Sequence, residues 1–111
     1  MHNLVYLIGR LTEDPVITKY EDGKEYLPFN LAVQRSYKNE DGIYETDFIR
    51  CVLWDAIATS TAEYCHKGDI VGIKGRIQVT QYEEKNEKKY LTEVVAEKVT
   101  FLSSKKQEET D

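Results

Sequence analysis

Residues 46–82 read TDFIRCVLWDAIATSTAEYCHKGDIVGIKGRIQVTQY, and their order decides the fold. The first nine, Thr46 to Trp54, alternate: Phe48, Arg50, Val52 and Trp54 against Ile49, Cys51 and Leu53. A period of two marks a strand with one face turned to a core. Asp55 to Cys65 is the one helix expected in the chain. Asp55 suits an N-cap, and Ile57, Thr61, Tyr64 and Cys65 share a face at i, i+4, i+7 and i+8. Lys67 and Gly68 follow, with the glycine expected as a left-handed stop. Residues 69–82 resume as strand around Gly72 and Gly75. Glycines inside a strand mark a bend or a close backbone approach, as at the corner of a small barrel.

Upstream, residues 26–34 (YLPFNLAVQ) place Phe29, Leu31 and Val33 on one face and Asn30, Ala32 and Gln34 on the other. A polar excursion from Arg35 to Glu45, turning at Asn39-Glu40-Asp41-Gly42, joins them to the strand at 46–54. The pair makes a long hairpin whose arms overhang the body. Residues 3–12 (NLVYLIGRLT) form the first strand, Pro15 breaks it, and Val16 to Tyr20 resume up to the turn Glu21-Asp22-Gly23. Downstream, Glu83 to Lys89 is a second charged hairpin tip and Tyr90 to Leu102 the last strand.

Three strands, a short helix and two strands leave two sheet edges to cover. A closed five-stranded Greek-key barrel solves this. The expectation is an all-β OB-fold over residues 1–102, with the helix between strands 3 and 4 plugging one barrel end. Residues 103–111 are expected as a short, disordered polar tail.

At 111 residues the chain is long enough for one core and too short for two. With 41% hydrophobic and 32% charged residues it is globular in composition. No stretch nears the roughly 20 apolar residues of a membrane span. The start, Met-His-Asn-Leu-Val-Tyr, lacks the basic and apolar regions of a secretion signal, so a cytoplasmic protein is expected. Cys51 and Cys65, with His2 and His66, show no metal spacing and read as buried small hydrophobes without a disulfide. Cys65 and His66 are helix neighbours that point apart, with no third residue to orient a base. No paired carboxylates or phosphate loop appear either. No enzyme activity, cofactor or metal is expected.

The net charge of −5 runs against a nucleic-acid binder, and the last nine residues account for little of it, with two lysines against three acids. Basic residues must then gather in one groove. Phe48, Arg50 and Trp54 share a strand face, odd for a core and suited to such a groove. Tyr37 and Tyr82 sit where strands run out into polar loops. Tyr6, Phe29, Tyr64 and Phe101 read as core. Yet Leu4, Tyr6 and Ile8 also make one face of a first strand whose other face, Val5 and Leu7, is apolar too. A strand greasy on both sides suggests a subunit contact.

The stretches LIGRLTEDP (7–15), FNLAVQR (29–35), ETDFIRCVLW (45–54), AEYCHKGDIVGIKGRIQ (62–78) and YLTEVVAEKVTFL (90–102) resemble the bacterial single-stranded-DNA-binding protein family in order and spacing. The resemblance implies an OB-fold, a homotetramer built as a dimer of dimers, and binding of single strands without sequence specificity. Replication, repair and recombination are the settings it implies. By position it makes Tyr37, Phe48, Trp54 and Tyr82 the base-stacking aromatics. Arg10, Arg35, Arg50, Lys74 and Arg76 are the cations nearest that face, and Lys38, Lys85, Lys88 and Lys89 decorate the tips. Stacked aromatics and phosphate-tracking cations are the two ingredients of such a groove.

The chain also departs from the family. It stops at Glu-Glu-Thr-Asp without the linker and acidic, apolar tip that recruit other enzymes. In length and in its AEYCHKG stretch it resembles the short, tail-less Gram-positive paralogue associated with DNA uptake in competence. Asp55-Ala56, Thr80-Gln81 and Glu13 stand where basic residues are common. Weaker affinity and a shallower salt dependence are therefore expected. The alternative is a tail-less OB-fold adaptor of the replication-restart type, which would bind DNA weakly and have no need of the aromatic set.

Overall fold

The computed structural model describes residues 1–104, so positions 105–111 of the polar tail lie outside the described residues. Its elements are β1 (Val5–Leu11), β2 (Thr18–Lys19), β3 (Glu25–Lys38), β4 (Tyr44–Trp54), α1 (Asp55–Tyr64), β5 (Ile70–Glu84) and β6 (Glu87–Ser103). Five are the expected barrel strands, and β2 is a two-residue addition hydrogen-bonded to β3.

The sheet runs β1-β5-β6-β4-β3-β2 and closes on itself because β1 also pairs with β3. Val5 to Arg10 pair antiparallel with Gly75 to Ile70, while Arg10 and Leu11 pair with Ala32 and Leu31. The parallel contact is β4 with β6, at Cys51↔Val94 and Val52↔Val95. This is the OB topology, with α1 between the third and fourth barrel strands. Leu27, Leu31, Cys51, Leu53, Val71 and Ile73 fill the centre, all with almost no exposed surface. Ala58 and Cys65 seal one end from the helix side.

Closure demands close backbone approach at two points. A Cβ on Gly9 would stand 2.5 Å from the Ala32 carbonyl oxygen, where β1 turns from β5 to β3. A Cβ on Gly75 would collide with the Val95 carbonyl. Beside it, Lys74 pairs with Lys98 but Gly75 with Ala96, a register slip of one residue. Such a bulge bends a sheet and lets it curl shut.

Both long hairpins extend past the barrel. The β3–β4 turn is organised by Asn39, whose side-chain oxygen accepts from the Asp41 and Ile43 amides at 2.9 and 3.0 Å. The β5–β6 turn is the two-residue Lys85-Asn86, both with φ in the left-handed region, at 52° and 64°. That is the tight turn whose twist matches paired strands.

Several local expectations give way. Asp55 is not the N-cap: the residue before the helix is Trp54, and Asp55 itself sits at φ 57°. Its carboxylate instead accepts the Glu25 amide at 3.1 Å, tying the start of α1 to the start of β3. Gly68 is left-handed at φ 91° but lies in the turn beyond the helix, which ends at Tyr64. Of the four aromatics read as core, Phe29 packs against it, while Tyr6, Tyr64 and Phe101 are each about half exposed or more. Val5 and Leu7 take the inward positions of β1, which turns Tyr6 outward. The buried stripe of the helix end runs through Ala58, Thr61 and Cys65, so Tyr64 faces an open groove of about 510 Å³ shared with Phe101.

Replacing Gly75 with alanine should destabilise the fold by about 2 kcal/mol or more, because backbone rather than a yielding side chain blocks the new methyl. Urea unfolding measures it, and an unchanged midpoint would mean the β5–β6 gap widens freely.

Candidate functional site

The β3–β4 ladder sets which side chains share a face. Ala32 lies opposite Phe48, Asn30 opposite Arg50, Pro28 opposite Val52 and Tyr26 opposite Trp54. By parity these lie on the side opposite Leu27, Leu31, Cys51 and Leu53, where Val52 is covered, Phe48 and Trp54 are open to solvent and Arg50 is partly so. Alternation thus places Phe48, Arg50 and Trp54 together on an outward wall. Ala32 is too small to cover the ring beside it, and Phe48 is 67% exposed.

Trp54 does not stand alone. The Tyr26 ring lies 4.6 Å from it at 41°, and Tyr20 lies 6.4 Å away at 27°. Neither tyrosine is singled out by the sequence. The signal for Tyr26 is its cross-strand pairing with position 54, which appears only once the register is known.

Arg50 is held between two partners. Its Nη2 donates to the Tyr26 hydroxyl at 2.8 Å and its Nε to the Glu93 carboxylate of β6 at 3.0 Å. The bond to Glu93 raises the pKa of Arg50, against the opposing pull of burial. Around it opens a cleft of about 330 Å³ between β3–β4 and the connection at 13–18, lined by Pro28, Asn30 and Arg50 and by the acids Glu13 and Asp14.

The other expected cations are scattered. Arg10 lies in the row Arg10↔Ala32↔Phe48, two strand spacings or roughly 10 Å from Phe48, and its Nη1 donates to the Gly68 carbonyl at 2.6 Å. Arg76 shares its face of β5 with Gln78, to which it donates at 2.9 Å, and its row continues across β6 through Val95. Lys74 is placed elsewhere. It pairs with Tyr6 on the β1–β5 wall, separated from β4 by β6 on one side and β3 on the other.

Arg35 is placed on the reverse of the hairpin arm. Val33 pairs with Asp47, giving Asp47 the inward parity, and Arg35 joins it there. Its Nε and Nη2 clasp the Asp47 carboxylate at 3.1 and 3.0 Å, and its Nη1 reaches Glu45 at 2.6 Å. This fork raises the pKa of Arg35 and lowers that of Asp47, chiefly through their mutual hydrogen bond. Tyr37 and Tyr82 stand on the two arms, 64% and 44% exposed. Tyr82 keeps the outward parity of Arg76 and Gln78.

The β1 wall presents Leu4, Tyr6 and Ile8 to solvent, each more than half exposed. The cysteines are buried and free, and desolvation pushes the Cys51 thiol up to about 12 and raises that of Cys65 as well. The exposed His66 ring faces Asp69 at 3.9 Å. Among the described residues no cluster of three or more His, Cys, Asp or Glu could hold a metal ion, and no helix is long and apolar enough to cross a membrane.

Comparison with known proteins agrees with this geometry. Residues 2–102 match the model of the "Single-strand binding protein family". The single-stranded DNA-binding protein B of Bacillus subtilis is 45% identical over 109 residues, covering 97% of this chain and 96% of its own length. The single-stranded DNA-binding protein 3 of Listeria innocua is 45% identical over 106 residues, and this chain spans 66% of its length. Among solved structures, a deletion mutant of the single-stranded DNA binding protein from Thermus aquaticus superposes with a TM-score of 0.78 at 30% identity. That match covers 94% of this chain and 52% of the other.

Proposed function

The chain belongs to the single-strand binding protein family, and from that premise we propose that it binds and protects single-stranded DNA without base specificity and without covalent chemistry. The observation that carries this reading is the exposure of Phe48 and Trp54 on one outward face with Arg50 fixed between them. Every base offers a π-face, so stacking accepts any sequence, at roughly 1–3 kcal/mol per stacked base. Tyr37 and Tyr82 extend the contact along the arms, and Arg10 and Arg76 flank the wall. An adaptor has no use for such a row of solvent-facing rings, so that alternative is not favoured.

We place the protein in the cytoplasm, on strands exposed in replication, repair, recombination or DNA uptake. The match to the Bacillus protein runs through 96% of that protein's own length. The exposed β1 wall supports assembly: on this reading Leu4, Tyr6 and Ile8 pair across a dimer, and two dimers make a tetramer. Lys74, beside Tyr6, then sits near the subunit contact rather than the aromatic wall.

Charge sets the affinity. The cations of the wall and arm are already engaged, Arg50 by Glu93 and Arg35 by Asp47 and Glu45. A phosphate at Arg50 must compete with Glu93, and one that follows the arm round to its reverse face must compete with Asp47 and Glu45 at Arg35. Few counterions are then released, and the salt dependence is shallow.

Three outcomes are expected. Oligo-dT should quench Trp54 fluorescence strongly while duplex DNA does not, and silence toward oligo-dT, with no mobility shift, would sink the single-strand reading. The double variant Glu45→Gln/Asp47→Asn should bind oligo-dT several-fold tighter at low salt and steepen the log–log salt slope by about one. An unchanged slope would remove Arg35 from the phosphate path. Ile8→Glu should lower the mass seen by light scattering at micromolar concentration, and a wild-type monomer there would refute the β1 interface.

A further inference from the structure

Three rings meet where the β2–β3 turn folds over the end of the β3–β4 wall. Trp54 and Tyr26 lie 4.6 Å apart, Tyr20 and Tyr26 6.2 Å, and Tyr20 and Trp54 6.4 Å. We infer that Tyr20 contacts DNA directly, and that Tyr20 and Trp54 hold one nucleobase between them with Tyr26 as the floor. The inference rests on the single-strand reading above and adds a base subsite to it.

The three rings have different roles because they are anchored differently. Tyr26 is the fixed one. It is half-buried in the middle strand of the wall, and its hydroxyl accepts from Arg50, which Glu93 holds from a third strand. Trp54 and Tyr20 are the open ones, 40% and 47% exposed. Their planes are within 27° of parallel and their centroids 6.4 Å apart, within the range of direct ring contact, so a base enters between them as Tyr20 swings away.

That movement is available to Tyr20. The strand before it is joined to the barrel by two pairs only, Thr18↔Tyr26 and Lys19↔Glu25. Its turn is closed by two backbone hydrogen bonds, from the Tyr20 amide to the Lys24 carbonyl and from the Gly23 amide to the Tyr20 carbonyl, and by the Lys24 amide donating to the Asp22 carboxylate at 3.0 Å. Shifting this arm leaves the barrel closure untouched.

The occupant is a base rather than a phosphate. Glu21, Asp22 and Glu25 surround the turn, with Lys19 and Lys24 roughly offsetting them, so no net positive field draws a backbone there. The faces on offer are aromatic and uncharged. The cluster also lies on the outward side of β4 that carries Phe48, so a strand crossing that wall reaches it without leaving the surface.

The test compares wild type, Tyr20→Ala, Tyr20→Leu and Tyr20→Phe by fluorescence anisotropy at low salt. Two probes of equal length are used, an oligo-dT and an abasic oligomer, with circular dichroism and urea midpoints reporting folding. Tyr20→Ala and Tyr20→Leu should weaken oligo-dT binding at least about fivefold, while Tyr20→Phe stays near wild type. The gap between wild type and Tyr20→Leu should close on the abasic oligomer. Wild-type affinity of Tyr20→Leu for oligo-dT would overturn the inference. So would an equal loss on both oligomers, which would make Tyr20 a prop for the turn. If wild type itself ignores oligo-dT, the single-strand reading fails first and this subsite with it.

Discussion

Everything in this molecule depends on β1 pairing with two partners at once. A five-stranded sheet of this length has two edges, and an unpaired edge is a template for aggregation. β1 removes both by bonding to β5 along most of its length and to β3 at Arg10 and Leu11. The geometry is tight enough that Gly9 and Gly75 can carry no side chain without meeting a neighbouring carbonyl. Both glycines therefore serve one constraint, contact between backbones at the corners of a small barrel.

Closure has a second effect, on the outer surface. Inward positions go mostly to leucine, isoleucine, valine and cysteine, with Phe29 packed against them, and a barrel this small has little room for further large rings. Phe48 and Trp54 are therefore pushed outward by parity, and so are Tyr6 and Tyr26. The result is an aromatic wall on β3–β4 and an apolar wall on β1. The first suits a ligand with flat faces, the second another subunit. Between them, α1 closes one barrel end and leaves Tyr64 and Phe101 beside an open groove.

The acidity of the chain is accommodated by pairing rather than by segregation. Glu93 occupies Arg50, and Asp47 with Glu45 occupies Arg35. The Arg35 pairs are partly exposed and contribute little to stability, whereas the Glu93 carboxylate is largely buried and depends on Arg50 for its partner. Their consequence is geometric, since each fixes a guanidinium that would otherwise swing free. Arg50 in turn steadies Tyr26 beneath Trp54, so an ion pair on β4 and β6 reaches the aromatic cluster through one hydroxyl.

The sequence by itself determined the strand order, the one helix, the alternation that turns Phe48, Arg50 and Trp54 to one face, and the likeness of its motifs to a family. These are local properties: a period of two, a cap residue or a glycine is visible within a dozen positions. Local reading failed where two distant segments compete for one group. Asp55 is a sound N-cap by composition, but the Glu25 amide thirty residues away takes its carboxylate. Tyr64 falls on the helix face that sequence spacing assigns to the core, yet the barrel end is already filled by Ala58, Thr61 and Cys65. Only the tertiary structure decided that Tyr20 and Tyr26 join Trp54, that Arg35 turns to the reverse of its arm, and that Lys74 lies on another wall. Each of these depends on strand register, which the turns, the irregularity between Gln34 and Lys38 and the pairing of β1 with β5 fix, and which a period of two alone does not give.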